Sequence, residues 1–313
     1  MKYIGKRIVT SALTLLVVSC LVFFSFAVIP GDPAAAKLGT QATETKLMAL
    51  RTEMGLDRPL LVRYGEWLKG AVTGNFGKSY SYSMPVSDMI GDKLPVTACL
   101  SLYAFVIMLI LAILIGIYSA RHKDKTIDRT LMIVNQIIMS VPPFFAGILV
   151  TLLFGIILHF FTPGSYVSYK VNLTSFLGYL FFPALSIALP KAAMGAKLLR
   201  SSILEEMKQD YVRTAYSRGN RTKDVFYKHI LKNAAIPFVT FCGMALADMI
   251  AGSIIIEQVF SIPGLGRILF SSIQNRDYPV VEAVIMCIAF LVIAVNLIVD
   301  FVYSRLDPRI TLE

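Results

Sequence analysis

Charge is what this sequence has least of. Only 16% of its 313 residues are Asp, Glu, Lys or Arg, against about a quarter in a soluble domain. That is too little polar side chain to clothe a water-soluble chain in which 56% of residues are hydrophobic. Histidine (3) and cysteine (4) are also scarce. Cys20, Cys99, Cys242 and Cys287 lie far apart inside apolar stretches, with no C-x-x-C or H-x-x-x-H spacing. A disulfide-stapled secreted scaffold is thereby excluded, and no metal-ligand pattern exists. H-E-x-x-H and G-x-S-x-G are missing, so the common membrane-enzyme signatures and any catalytic residue set are absent. Heptads are lacking and the apolar content rules out disorder.

What is present is a series of long hydrophobic runs, reflected in a mean hydropathy of +0.67. A helix needs about 20 apolar residues to cross roughly 30 Å of hydrocarbon. Six segments qualify: 8–29, 97–119, 131–161, 175–199, 234–256 and 280–303. The third carries Pro142-Pro143 at its middle and is expected to kink or break there. The fourth continues past Pro190 to Lys191 and Lys197, whose long stems can snorkel. The first follows Lys2, Lys6 and Arg7 and precedes Ala34-Ala35-Ala36, which imitates a signal peptide. Its apolar run is longer than the about 7–15 residues of a signal core, so we read it as a retained anchor. The expected fold is an all-α polytopic membrane protein with six transmembrane helices.

With Lys191 and Lys197 at the end of the fourth span included, Lys and Arg number 19 on the side of the termini and 11 on the other. The positive-inside rule then puts both termini in the cytoplasm, so the net charge of +10 reports topology rather than nucleic-acid binding. Residues 1–30 hold the first span, 31–96 form an external segment, and 97–313 a five-helix core with a cytoplasmic loop at 200–233. The external segment reads as a helix over 43–55 ending at a glycine and another over 60–68 after Pro59. Its Gly77-Lys78-Ser79 resembles the end of a P-loop, but Val72 occupies the position of the first glycine and no buried strand precedes it. ATP is not expected to bind there.

The loop at 200–233 is more than polar linker. Ile203, Met207, Tyr211 and Ala215 recur every four residues beside Leu204 and Val212, a spacing that predicts one helix with an apolar stripe. Glu205, Lys208 and Arg218 point elsewhere. Gly219-Asn220 suits a left-handed turn, and Thr222 can cap a second short helix with Asp224 near its positive end. Such a hairpin fits three roles on residue chemistry alone: resting on anionic lipid, docking a cytoplasmic partner, or binding nucleic acid.

Acids inside spans are costly and deserve a function. Asp248 lies mid-span, where it is expected to line a path or pair across a subunit interface. Glu257, Glu282 and Asp300 are nearer span ends, where headgroup-level or salt-bridged acids are common; Arg305 is placed to pair with Asp300. Gly243, Ala247 and Ala251, with Gly252 adjacent, make a small-x-x-x-small seam for close helix packing, within the chain or against a second subunit. The 261–279 stretch, with Leu265, Ile268, Leu269 and Ile273 at helical spacing, predicts a short external interfacial helix behind Pro263-Gly264.

Arg213-Thr214-Ala215-Tyr216-Ser217-Arg218-Gly219 followed by Leu231 resembles the E-A-A-x-x-x-G loop of the membrane subunits of ABC importers. Asp210-Tyr211-Val212 before it and Asn233-Ala234-Ala235-Ile236-Pro237 after it resemble the dipeptide, oligopeptide and nickel permease branch. So do Gly55-Leu56-Asp57-Arg58-Pro59-Leu60, Arg63-Tyr64, Trp67-Leu68, Pro263-Gly264-Leu265-Gly266-Arg267, Asn275-Arg276-Asp277-Tyr278-Pro279 and Asp307-Pro308-Arg309. These cover essentially the whole chain in the family's order. Arg213 stands where the general loop has its glutamate and Lys232 where it has a proline, as in many peptide-type permeases.

The resemblance implies a type I ABC importer permease fold in a prokaryotic inner or plasma membrane. It implies that the loop, with Glu205, Asp210, Tyr211, Arg213, Thr214, Ala215 and Gly219, couples to a cytoplasmic ATPase. It further implies a heterodimer with a second homologous permease, two ATPase subunits that use ATP and Mg, and an external substrate-binding protein. This chain itself would bind no cofactor or metal and would not be an enzyme. Di- and oligopeptides are the expected cargo, with nickel chelates or another small solute as the alternative. Asp248, Glu257, Pro263, Gly264 and Gly266 are the candidate pathway and gate residues. An ion-gradient secondary transporter remains a different class of reading, disfavoured by the absence of an evident internal repeat.

Overall fold

The computed structural model describes residues 2–29, 31–38 and 43–306, and among these all regular elements are helices apart from one isolated bridge between Lys78 and Pro85. In chain order they are α1 Lys2–Val28, α2 Pro33–Leu38, α3 Glu44–Glu53, α4 Leu60–Thr73, α5 Val86–Arg121, α6 Thr126–Met139 and α7 Pro143–Val150. There follow α8 Leu173–Glu206, α9 Asp210–Ser217, α10 Thr222–Asp224, α11 Leu231–Val259, α12 Leu265–Gln274 and α13 Tyr278–Leu306. The Asp307-Pro308-Arg309 motif and the side chains of Asp300 and Arg305 lie outside the described set.

Among the described residues five helices are long and apolar enough to cross a membrane, and α6 with the 143–157 stretch that starts as α7 is a bent pair that makes up to six if it is one span. The bend is 105° and falls at Pro142-Pro143. Proline has no N–H to give and its ring clashes with the preceding turn, so the ladder of hydrogen bonds cannot pass through two in succession. By contrast, α8 runs straight through Pro183 and Pro190, as spanning helices tolerate when neighbours cover the freed carbonyls.

The chain divides into two compact units. The first comprises Met1–Thr97 and Pro263–Ile293. Its core gathers Val86, Met89 and Ile90 from the start of α5 with Leu265 and Ile268 of α12 and Val280, Ala283 and Val284 of α13. The α5 helix therefore begins well before its apolar run, because its first turns are already buried here. The Leu265 amide donates to Thr97 Oγ1 at 2.9 Å, tying the start of α12 to α5. A helix does form within the 261–279 stretch, and of its spaced apolar residues Leu265 and Ile268 are buried in this core while Ile273 is exposed. Around α1, Ser19 and Cys20 meet the Tyr64 hydroxyl of α4 at 2.8 and 3.0 Å.

The second unit comprises Ala98–Ile262 and Ala294–Glu313. Its centre is the α8–α11 pair, with α6 and α7 packed on α8. Half of the most apolar window of α8, and half of that of the helical stretch ending in α11, is buried. The Tyr179 hydroxyl donates to the Phe260 carbonyl at 2.7 Å and accepts from the Gly164 amide at 3.0 Å, which pins the irregular 158–172 connection. The small-residue seam on α11 is split by the helix's rotation. Gly243 and Ala247 are buried, whereas Ala251 is exposed. A Cβ at Gly243 would lie 2.1 Å from Val299 Cγ1 of α13, so that glycine serves packing within the chain.

Candidate functional site

The α8 helix ends at Glu206, and α9 starts only at Asp210 with Gln209 in extended conformation before it. The single continuous helix expected over 203–215 is thus broken at 207–209. The break rotates the stripe: Ile203, Val212 and Ala215 are buried, while Met207 and Tyr211 are exposed. With only eight residues, α9 has no stability of its own. Val212 and Ala215 instead anchor it beside the π-helical turn Val225–Ile230, whose Val225, Phe226 and Ile230 are buried.

Gly219 closes α9 with φ +78°, its amide bonded to the Tyr216 carbonyl at 2.9 Å. That left-handed turn is the one Gly219-Asn220 predicts. The second short helix is different from expectation. Arg221, not Thr222, holds the cap position, with no side-chain cap bond, and α10 continues through the π-turn directly into α11. Hence α9 is suspended between two helices long enough to span a membrane, α8 and the α10–α11 run.

Of the candidate coupling residues, Glu205, Asp210, Tyr211, Arg213, Thr214 and Gly219 are exposed and Ala215 is buried. Arg213 is 83% exposed and only loosely faces Asp210, at 3.9 Å. Tyr211 donates to Glu206 Oε2 at 2.5 Å across the break; burial raises its phenol, and the carboxylate adds to that shift. The hairpin presents polar side chains outward and keeps just two apolar anchors beneath them.

One interaction beneath this hairpin has no local sequence signal. Asp128 of α6 accepts a two-pronged bond from Arg200 of α8, Nε to Oδ1 at 2.7 Å and Nη2 to Oδ2 at 2.6 Å. Ser119 of α5 and the Asp124 amide complete the carboxylate's shell. Asp128 is buried, and the partners stand 72 residues apart in sequence. Three helices are thereby locked together a few residues before α9 begins.

Asp248 is 61% exposed and paired with Lys191 Nζ of α8 at 2.5 Å. That partner lies on a neighbouring helix of the same chain. Lys197 likewise turns to Gln136 Oε1 at 3.0 Å. Asp248 shares an exposed stripe of α11 with Met244, Ala251 and Ile255, positions spaced to form one helix face. Glu257 sits on the opposite, buried side of the helix with 0% exposure. Pro263, Gly264 and Gly266 belong to the other compact unit, where Gly264 and Gly266 are buried at the start of α12.

That unit is organised around a second carboxylate. Asp277, fully buried, accepts from Ser79 Oγ at 2.5 Å and from the amides of Tyr80 and Ser81 at 2.8 and 3.2 Å. The Gly77-Lys78-Ser79 stretch thus serves architecture: Ser79 is its buried anchor and the Lys78 bridge its closure. Tyr80 beside it is pushed up to about 12 by burial, against the pull of Arg63. Glu282 is also inside, 7% exposed.

Comparison with known proteins bears on both regions. Residues 112–312 match the family described as the binding-protein-dependent transport system inner membrane component, and residues 1–101 match its N-terminal membrane component. A putative peptide transport system permease protein of Brucella abortus (strain 2308) is 37% identical over 305 residues, covering 97% of each chain. A probable peptide ABC transporter permease protein of Sinorhizobium fredii is 33% identical over 308 residues and 98% of each. The glutathione transport system permease protein GsiC of Escherichia coli (strain K12) is 34% identical over 310 residues and 99% of each.

Proposed function

The chain belongs to the family of binding-protein-dependent transport system inner membrane components, and from that premise we propose how it is driven and what it carries. It is a multi-pass membrane permease subunit. Its cargo is di- or oligopeptides, in keeping with the relatives named for peptide and glutathione transport. It works with a second homologous permease, an external substrate-binding protein and two cytoplasmic ATPases, and the ATP and Mg are handled by those ATPases.

One observation carries this reading: α9 is a short helix with an outward polar face, slung between two long helices. A permease without a nucleotide site must receive its energy mechanically, and such a segment is a lever. Glu205, Asp210, Arg213 and Thr214 meet the ATPase, Ala215 and Val212 transmit the push to the π-turn, and Gly219 keeps the hairpin closed. The Asp128–Arg200 clamp ties the root of α8 to α5 and α6, so displacement of α9 moves several helices together. Asp248 and its stripe on α11 face the path or the second permease, and both termini lie in the cytoplasm.

The test is a mild-detergent purification of the tagged chain from its native membranes, with ATP hydrolysis assayed with and without peptides. Co-purification of ATPases, with peptide-stimulated hydrolysis that Gly219→Pro weakens, is the expected result. A chain that purifies alone and moves solute down an ion gradient in liposomes contradicts it.

A further inference from the structure

Helix α9 is joined unequally to the two long helices that carry it. On the α11 side, Val212 and Ala215 pack beside the Val225–Ile230 turn, and that turn runs into α11 without a break. On the α8 side the helix stops at Glu206. Across the 207–209 link the Lys208 and Gln209 amides reach back just three residues, to the Glu205 and Glu206 carbonyls at 3.1 Å. Through the backbone alone, a push on α9 reaches α11 directly and α8 only by way of a soft joint.

The Tyr211 hydroxyl bridges that joint. It donates to Glu206 Oε2 at 2.5 Å, and the Asn233 side chain at the start of α11 hydrogen-bonds the same hydroxyl. A phenol has one proton to give, and here the carboxylate takes it, so the Asn233 amide is the donor to the phenol oxygen. The bonds thus run amide to hydroxyl to carboxylate, from α11 through α9 to α8. The last of them is charge-assisted, the stronger kind. Among the described residues Glu206 makes no ion pair, and no other side chain of α9 hydrogen-bonds α8. The Tyr211 side chain is 36% exposed, so burial of apolar surface does not account for a tyrosine at this position.

Glu206 is placed to pass a displacement on. Arg200 lies on the same helix, about 9 Å back along its axis at 1.5 Å per residue, and holds Asp128 of α6 in the two-pronged bond beneath the hairpin. We propose that the Tyr211 hydroxyl is a positioning group that yokes the end of α8 to the start of α11, so that displacement of α9 moves both helices as one. Its partners are the two flanking helices, whereas Arg213 on the outward face meets the ATPase. The inference rests on the reading of α9 as the segment the ATPases engage, and adds to it the side chain that makes the two arms respond together.

The test is pulsed EPR on the full assembly purified from native membranes. Spin labels on unnatural residues replace the exposed Ser201 of α8 and Lys232 of α11, which leaves the native cysteines in place. The distance between them is compared without nucleotide and with ATP. One distance in both states is expected for the native chain. For Tyr211→Phe the distance should shift on ATP by about 2 Å, the scale of helix displacements at interfaces. Glu206→Leu should behave like Tyr211→Phe. Glu206→Gln keeps an acceptor and should restore the native pattern, a rescue that a merely structural role of the ring would not show. Should Tyr211→Phe fail to assemble, the two Glu206 variants decide the matter. A distance that changes with ATP in the native chain, or that stays fixed in Tyr211→Phe and Glu206→Leu, overturns the proposal. ATPases that do not co-purify with the chain overturn the lever reading, and the yoke with it.

Discussion

The hairpin around α9 and the first compact unit treat charge in opposite ways. In the hairpin, Asp210 and Arg213 stand in solvent, and the segment is held by two apolar side chains, Val212 and Ala215. In the first unit, Asp277 and Glu282 are inside, and Asp277 is wrapped by a hydroxyl and two amides. An outward charged surface on thin anchors is suited to engaging and following a partner. Inward charge, once satisfied, specifies one geometry, because any other leaves it unpaired.

The largest effect should come from breaking the inward arrangement. Asp277→Ala orphans the Ser79 hydroxyl and the Tyr80 and Ser81 amides, and is expected to cost about 3 kcal/mol or more. A fall in the melting temperature of the detergent-solubilised chain would report it. Next is the clamp under the hairpin. Arg200→Met leaves the Asp128 carboxylate buried without its cation, for a loss of about 3 kcal/mol, and adding Asp128→Leu should recover most of it. Thermal melts of the two singles and the double read that non-additivity.

Gly219→Pro sharpens the comparison from the other side. Proline is held near φ −65°, whereas this position needs +78°. The hairpin turn should fail, with peptide-stimulated ATP hydrolysis falling by about tenfold and the first compact unit unaffected. Arg213→Ala, at an exposed site, should change stability by less than about 0.5 kcal/mol while weakening co-purification of the ATPase. The smallest effect concerns pH. Tyr80 ionises near 12 in the folded chain against 10.0 ordinarily. The unfolded chain therefore loses that proton first, and Tyr80's contribution, complete below pH 10, is lost as pH rises toward 12. Melting curves of the native chain and Tyr80→Phe across that range should converge at the alkaline end.

Much of the fold was legible in the sequence because spanning runs announce themselves by length. The break at Pro142-Pro143 and the left-handed turn at Gly219 follow from the backbone limits of proline and glycine, which no tertiary context needs to supply. Periodicity misled at 203–215, where repeats of four continued across the helix break at 207–209 because Met207 and Tyr211 are apolar but exposed. It could not foresee Asp128–Arg200, Lys191–Asp248 or Ser79–Asp277, since pairings between distant helices leave no local trace. The depth of Glu257 and Glu282 was likewise hidden: a position near a span's end fixes height along the helix but not which side faces protein.

The most direct test of the lever is photo-crosslinking in native membranes from residue 213, on the outward face of α9, and from residue 212, beneath it. The account predicts that position 213 captures an ATPase subunit, with a yield that changes when ATP is bound, while position 212 captures only the chain's own Val225–Ile230 turn. Capture of the ATPase from neither position, or with no response to ATP from 213, would contradict it.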